Sequence, residues 1–296
     1  MEKPYSVRKC EPTTTTGGGA AGCSLRMRRA SRGGLTCEHH AAPLRGEPRS
    51  GENSNDASAP SARRHPFRVR WQVAAGASMM PLIMDLIHTL YEPAGDGPYP
   101  TIIALHGWGS NALDLQGLAP YIAGGEFMVI CPQGPLEVPI GAISGYGWFP
   151  IRMGSQPRED QIDEAVERAE RFIEAALQRY PADRKKLVML GFSQGGLMSF
   201  RLAFRHPERF KAMVGLSTWF PPELKENINI GEVQKLPVLI EHGRADEMIT
   251  LSRAKESLEH LKELNVPVSF KEYDCGHEIT ASGLEDLSKF LAKHVL

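Results

Sequence analysis

The sequence predicts an α/β fold over its last two thirds: a mostly parallel, doubly wound sheet with helices on both faces and no large cap domain. Three observations predict it. From residue 84 onward, short β-rich apolar runs alternate with longer helical patterns, the signature of a sheet covered on both sides. A serine between glycines stands where one such run passes into a helical pattern. The first seventy residues differ in composition and charge from everything that follows.

The predicted strands are residues 84–91, 101–105, 127–131, 186–190, 212–216, 238–242 and 268–273, each rich in β-branched or large apolar side chains. Between them, 159–179 reads as a helix, since Ile162, Val166, Ala169, Ile173 and Leu177 recur at three- or four-residue spacing with charges elsewhere. Tyr180-Pro181 ends it, because the residue before a proline is pushed out of helical geometry. Residues 194–204, 252–263 and 282–293 are the other predicted helices. The stretch 132–157, rich in Gly, Pro and aromatics, reads as a long irregular loop, and ordered loops of that length are usually functional.

The net charge of −1 hides an asymmetry. Residues 1–70 hold thirteen Lys or Arg against six acids, a balance of +7, so the remainder carries −8. The basic segment is also poor in apolar side chains and includes the low-complexity run 13–21. It cannot bury enough surface to offset the entropy of ordering it, so residues 1–78 are expected to form a disordered basic arm and 79–296 the folded domain. Such an arm suits an organelle transit peptide or a polyanion-binding tail. The simpler expectation is an upstream extension of a domain able to start at Met79 or Met80. No signal-peptide apolar core and no membrane-spanning run is evident, and a cytoplasmic location is expected.

Of five cysteines, Cys10, Cys23 and Cys37 lie in the arm and Cys131 and Cys275 in the domain. An odd, scattered set argues against a disulfide framework and lacks the spacing of a zinc site.

The chemistry centres on Gly191-Phe192-Ser193-Gln194-Gly195-Gly196. In a chain with 29 glycines the pattern Gly-x-Ser-x-Gly alone is weak, but the apolar run before it and the helical run after it make it a strand-to-helix turn that lifts a hydroxyl above a sheet. A serine nucleophile needs a base and an orienting acid at the ends of later strands. Asp246 follows the run 238–242, and His277 follows 268–273. Asp274 is close to His277 in sequence, yet a carboxylate three residues away in one loop is harder to aim at the ring than one from the adjacent loop. His242 falls inside a strand and reads as structural, and Cys275 as a small loop residue. The backbone amides of Gln194 and of Trp108, within Leu105-His106-Gly107-Trp108-Gly109, are the expected donors for an oxyanion.

With these motifs assembled, the domain resembles the phospholipase/carboxylesterase family of α/β-hydrolases, which includes acyl-protein thioesterases and small bacterial carboxylesterases. The resemblance rests on Leu105 to Gly109, Gly191 to Gly196, His242-Gly243-Arg244-Ala245-Asp246 and Gly276-His277-Glu278-Ile279, with Cys131 to Pro135 and Trp148-Phe149 as further likenesses. It implies a serine esterase without metal or organic cofactor, working through an acyl-enzyme with Ser193, Asp246 and His277 as triad and Trp108 and Gln194 as oxyanion amides. One departure stands out: many members carry a hydrophobic-Val-Pro sequence after the aspartate, where this chain has Glu247-Met248-Ile249-Thr250.

The expected substrate is a small acyl ester of short to medium chain, held near Trp108, Trp148, Phe149 and Trp219. Thioesterase or lysophospholipase action uses the same residues. A peptidase or dienelactone-type hydrolase is the rival on the same fold, disfavoured by the lack of a second domain and by serine rather than cysteine at the turn. A reading of another class makes the arm a polyanion binder and the domain its scaffold; the arm lacks the interleaved aromatics of a nucleic-acid binder, so no nucleic-acid partner is expected. A homodimer is compatible with the sequence.

Overall fold

The computed structural model describes residues 84–151, 157–226 and 228–296. The arm expected over 1–78 lies outside the described residues.

In chain order the elements are β1 (His88–Tyr91), β2 (Tyr99–Leu105), α1 (Ala112–Gln116), β3 (Met128–Pro132), β4 (Leu136–Ile140), β5 (Ile143–Gly147), α2 (Glu159–Arg179), β6 (Ala182–Phe192), α3 (Gln194–Arg205), β7 (Ala212–Leu216), α4 (Ile230–Val233), β8 (Val238–Gly243), α5 (Leu251–Glu263), β9 (Val268–Tyr273) and α6 (Ala281–His294). Seven strands form one sheet in the order β1-β3-β2-β6-β7-β8-β9. Every neighbouring pair is parallel except β1 with β3.

Strand side chains alternate between two apolar layers, as a period of two requires. On β2, Ile103 and Leu105 join the layer packed under α2, α3 and α5, while Ile102 and Ala104 join the layer under α1 and α6. The chain winds outward in both directions from β2, so the carboxyl ends of β2, β6, β7, β8 and β9 open onto one edge. That edge is where ligands bind in open α/β sheets.

Helix α2 spans the predicted residues 159–179 and buries Ile162, Val166, Ala169, Ile173 and Leu177. Glu159 and Asp160 in its first turn and Arg179 in its last complement the helix dipole. Two expectations need correction. The first strand begins at His88 rather than residue 84, because its pairing with β3 starts at His88 opposite Pro132. The stretch 132–157 is not irregular throughout: β4 and β5 form an antiparallel hairpin with Ile140 opposite Ile143. Gly141 at φ 61° supplies the first position of its two-residue turn. No helix among the described residues is long and apolar enough to cross a membrane.

Candidate active site

Ser193 sits between β6 and α3 with φ 53° and ψ −118°. Such a backbone costs a non-glycine residue roughly 1–3 kcal/mol and persists only where its surroundings enforce it. Here the enforcement is close packing. A Cβ on Gly191 would lie 2.2 Å from the Gly195 carbonyl oxygen, one on Gly195 would lie 2.0 Å from that of Leu105, and one on Gly196 would lie 2.5 Å from the Thr218 side chain. The Ser193 amide donates to Leu216 O at 2.9 Å, and the Thr218 hydroxyl donates to Ser193 O at 2.8 Å. The glycines therefore let the α3 turn press against β2 and β7 while the serine stays half-buried at the strand end.

Asp246 and His277 come from the next two loops. His277 Nδ1 lies 2.7 Å from Asp246 Oδ2, while Asp246 Oδ1 accepts from the amides of Met248 at 2.9 Å and Ile249 at 2.8 Å. Because the carboxylate only accepts, Nδ1 carries the proton and Nε2 is left as the basic nitrogen. Burial pushes the Asp246 carboxyl up, but the His277 bond, the Ile249 amide and the nearby imidazoles outweigh it, and the net displacement is downward. Asp246 is thus held as a carboxylate.

The two loops are joined by Arg244 N to Tyr273 O at 2.8 Å and Ala245 N to Cys275 O at 3.0 Å. A Cβ on Gly243 would fall 2.1 Å from Gly276 O, so the glycine permits this contact. The His277 ring packs on Phe192, with centroids 4.8 Å apart, and Phe192 immediately precedes Ser193. From the other side, a Cβ on Gly107 would meet the Phe192 ring at 3.0 Å and Ser193 Cβ at 3.3 Å. The loop with Trp108 and the turn with Ser193 are therefore in van der Waals contact.

Asp274 points elsewhere: it is 88% exposed and lies 2.5 Å from Arg244. His242 is buried beneath Asp246, with Nε2 2.7 Å from Ile249 O and 3.4 Å from Asp246 Oδ2. Burial lowers its pKa, so it stands as a neutral ring that grips the turn following Asp246.

Two side chains do more than their motifs suggested. The Gln194 side chain accepts from the Trp148 amide at 2.9 Å and donates to Phe149 O at 2.8 Å. Buried His106 accepts from the Gly134 amide at 2.9 Å through Nε2, and its Nδ1 donates to Gly107 O at 2.7 Å. The His106 carbonyl takes the Trp148 indole N–H at 2.9 Å. Together they tie the Trp108 loop, the turn after β3 and the hairpin's exit to the Ser193 turn. Trp148 and Phe149, expected near the acyl group, are pinned in this way within the core layer, 3% and 2% exposed. Trp108 and Trp219 remain partly accessible. The hairpin leans on the same loop through Gly109 N to Tyr146 O at 2.8 Å and Tyr146 N to Ser110 O at 2.7 Å.

The sequence profile of the phospholipase/carboxylesterase family matches residues 91–295. The chain belongs to this family. It is by that membership a serine hydrolase acting on ester bonds. Acyl-protein thioesterase 1 of Gibberella zeae is 26% identical over 230 residues, covering 71% of this chain and 96% of that protein. A probable carboxylesterase of Oryza sativa subsp. japonica is 25% identical over 207 residues, covering 66% of this chain and 77% of its own length. The fold matches those of esterase PE8 (TM-score 0.62, 24% identity, 70% of this chain and 97% of that one) and the Bacillus cereus carboxylesterase (TM-score 0.60, 22% identity, 71% and 95%).

Proposed function

We propose that the chain is a carboxylesterase for short- to medium-chain esters in which Ser193 is the nucleophile, His277 the general base and Asp246 its orienting acid. The observation that carries this reading is the 2.7 Å contact of His277 Nδ1 with an Asp246 carboxylate whose other oxygen takes two amides, beside the Phe192-Ser193 turn. Ser193 Oγ attacks the acyl carbonyl as its proton passes to His277 Nε2. The oxyanion is stabilised by the amides of Trp108 and Gln194, the second of which opens α3. Collapse returns the proton from Nε2 to the leaving oxygen or sulfur and leaves an acyl-serine. Water, deprotonated by the same nitrogen, then releases the acid. The acyl group rests against Trp108 and Trp219, with Trp148 and Phe149 as the rigid layer behind.

Thioester cleavage follows the same steps, and the likeness to an acyl-protein thioesterase favours it as the second reading. Hydrolysis of p-nitrophenyl esters from acetate to palmitate, beside matched acyl-thioesters, tests both. Turnover highest at four to eight carbons on oxygen esters is the expected outcome. Turnover that climbs to the longest chains, or that is confined to thioesters, would replace the first reading with the second.

A further inference from the structure

Trp219, against which the acyl group rests in the proposed reaction, carries on its ring a cation that the reaction leaves unused, Arg253. After β7 the chain passes over the Ser193 turn: Ser217 adopts φ 46°, Thr218 donates to Ser193 O at 2.8 Å, and half-buried Trp219 follows. Arg253 arrives from the opposite side, in the first turn of α5, the helix that follows the Asp246 turn. Its guanidinium carbon lies 4.0 Å from the centroid of the Trp219 ring. The cation is therefore held over an aromatic face between the loops that flank Ser193 and Asp246.

Its electrostatic setting is unusual for this chain. Arg158, Arg168, Arg201, Arg209 and Arg244 each have a carboxylate within 4.0 Å. Among the described residues Arg253 forms no such pair, and Glu223, whose charge it feels, lies 2.6 Å from Arg201. Arg253 is exposed overall; desolvation of its guanidinium beside the Trp219 ring draws it below its usual range, against the attraction of Glu256 and Glu223. The first turn of α5 also carries no acid, where the helix dipole would favour one. An anion arriving there would meet a guanidinium stacked on the Trp219 ring with no carboxylate within 4.0 Å among the described residues.

We propose that Arg253 recognises a carboxylate at the far end of the acyl group, which makes monoesters of dicarboxylic acids the preferred substrates. The methylene chain lies along the Trp219 ring and its terminal carboxylate meets the guanidinium in a charge-assisted hydrogen bond. This rests on the assignment of Ser193 as nucleophile, and it narrows the substrate class from neutral esters to anionic ones.

The test compares p-nitrophenyl monoesters of glutaric, adipic and suberic acid with butyrate, hexanoate and octanoate esters, after subtraction of the uncatalysed rate. Wild-type chain, Arg253→Gln and Arg253→Glu are assayed, and the readout is the ratio of kcat/KM for each acid ester to that for the neutral ester nearest in chain length. The ratio exceeds one in the wild type for at least one chain length, and falls on the order of 10- to 100-fold in Arg253→Gln. A wild-type ratio at or below one for every length, or an equal loss on both ester types, overturns the inference. Calorimetric titration with adipate and with hexanoate gives a reading independent of turnover: adipate binds the wild type more tightly, and Arg253→Gln removes the difference. Equal binding by the wild type overturns the inference as well. Ser193-dependent turnover of the neutral esters without an anion preference would sink the Arg253 assignment alone, whereas no turnover of any ester by folded protein would take the parent reading with it.

Discussion

Replacing Glu241 by glutamine should stabilise the protein at neutral pH, and by an amount that the structure fixes to order of magnitude. Glu241 lies on β8, 5% exposed, with Oε1 3.2 Å from the Tyr273 hydroxyl; that hydroxyl is also 3.2 Å from Asp286 Oδ2. Burial, then the charges of Glu241 and Asp286, raise the Tyr273 pKa, so the phenol keeps its proton. One phenolic proton serves only one carboxyl; the other contact is a hydrogen bond only if a carboxyl is protonated. Asp286 has Lys271 at 3.4 Å and Lys289 at 3.5 Å, and although partial desolvation pushes it up, the bonds from Tyr273 and the lysines hold it below its usual range. The proton therefore belongs to Glu241. Burial lifts that carboxyl from 4.5 to about 8, with Asp286 adding to the rise and the Tyr273 bond and Lys271 opposing it. An acid whose pKa is higher folded than unfolded binds an extra proton on folding between the two values, so stability falls as pH rises from about 4.5 to about 8. At pH 7 the gap spans about 2.5 units, or roughly 3 kcal/mol. Glutamine is neutral at every pH, and its amide can still donate to Tyr273. Urea unfolding of both proteins from pH 5 to pH 8 should show Glu241→Gln ahead by less than about 1 kcal/mol at pH 5 and by roughly 3 kcal/mol at pH 7. A difference that does not change with pH, or a variant weaker than wild type at pH 7 to 8, would refute the reasoning.

Two other substitutions probe the site directly. Asp246→Asn leaves the carbonyl side of the group to accept the amides of Met248 and Ile249 but presents His277 with a donor, so kcat should fall by about 10³ to 10⁴; a loss under ten-fold in ester turnover would contradict the assignment. Gln194→Ala strands the buried Trp148 amide and Phe149 carbonyl, and thermal or urea unfolding should register a loss of roughly 2–4 kcal/mol. An unchanged unfolding midpoint would mean that these bonds are replaced by water.

Much of the fold was legible because its signals are local. Helix α2 carries an uninterrupted apolar stripe and stops at Tyr180-Pro181, and the structure gives it the expected limits. Strand β6 extends four residues further toward its N-terminus than its apolar run, since Ala182 to Lys185 are mostly polar and partly or fully exposed. The hairpin was not readable for the opposite reason. Its glycines look like loop residues, yet they answer to contacts far away in sequence: a Cβ on Gly145 would lie 1.9 Å from Gly109 O, and one on Gly147 would lie 2.4 Å from the Trp108 ring. In the site, the turn at Ser193 follows from strand, glycine and helix in succession. That His277 meets Asp246, while Asp274 turns out to Arg244, follows from neighbouring strand ends supplying neighbouring loops. The side-chain work of Gln194, His106 and His242 left no trace in spacing, because each bonds to backbone that only the tertiary fold brings near. The same holds for Trp148 and Phe149, whose aromatic character suggested contact with substrate and whose burial was set by Gln194.

The central claim is that Ser193 is the activated nucleophile. Brief treatment of the full chain with a fluorophosphonate, followed by intact-mass and peptide mass spectrometry, tests it without any assumption about substrate. The account predicts one adduct, on Ser193, absent from Ser193→Ala and formed far more slowly in His277→Ala and Asp246→Asn. A folded wild-type chain that takes up no label, or takes it on another residue, would contradict it.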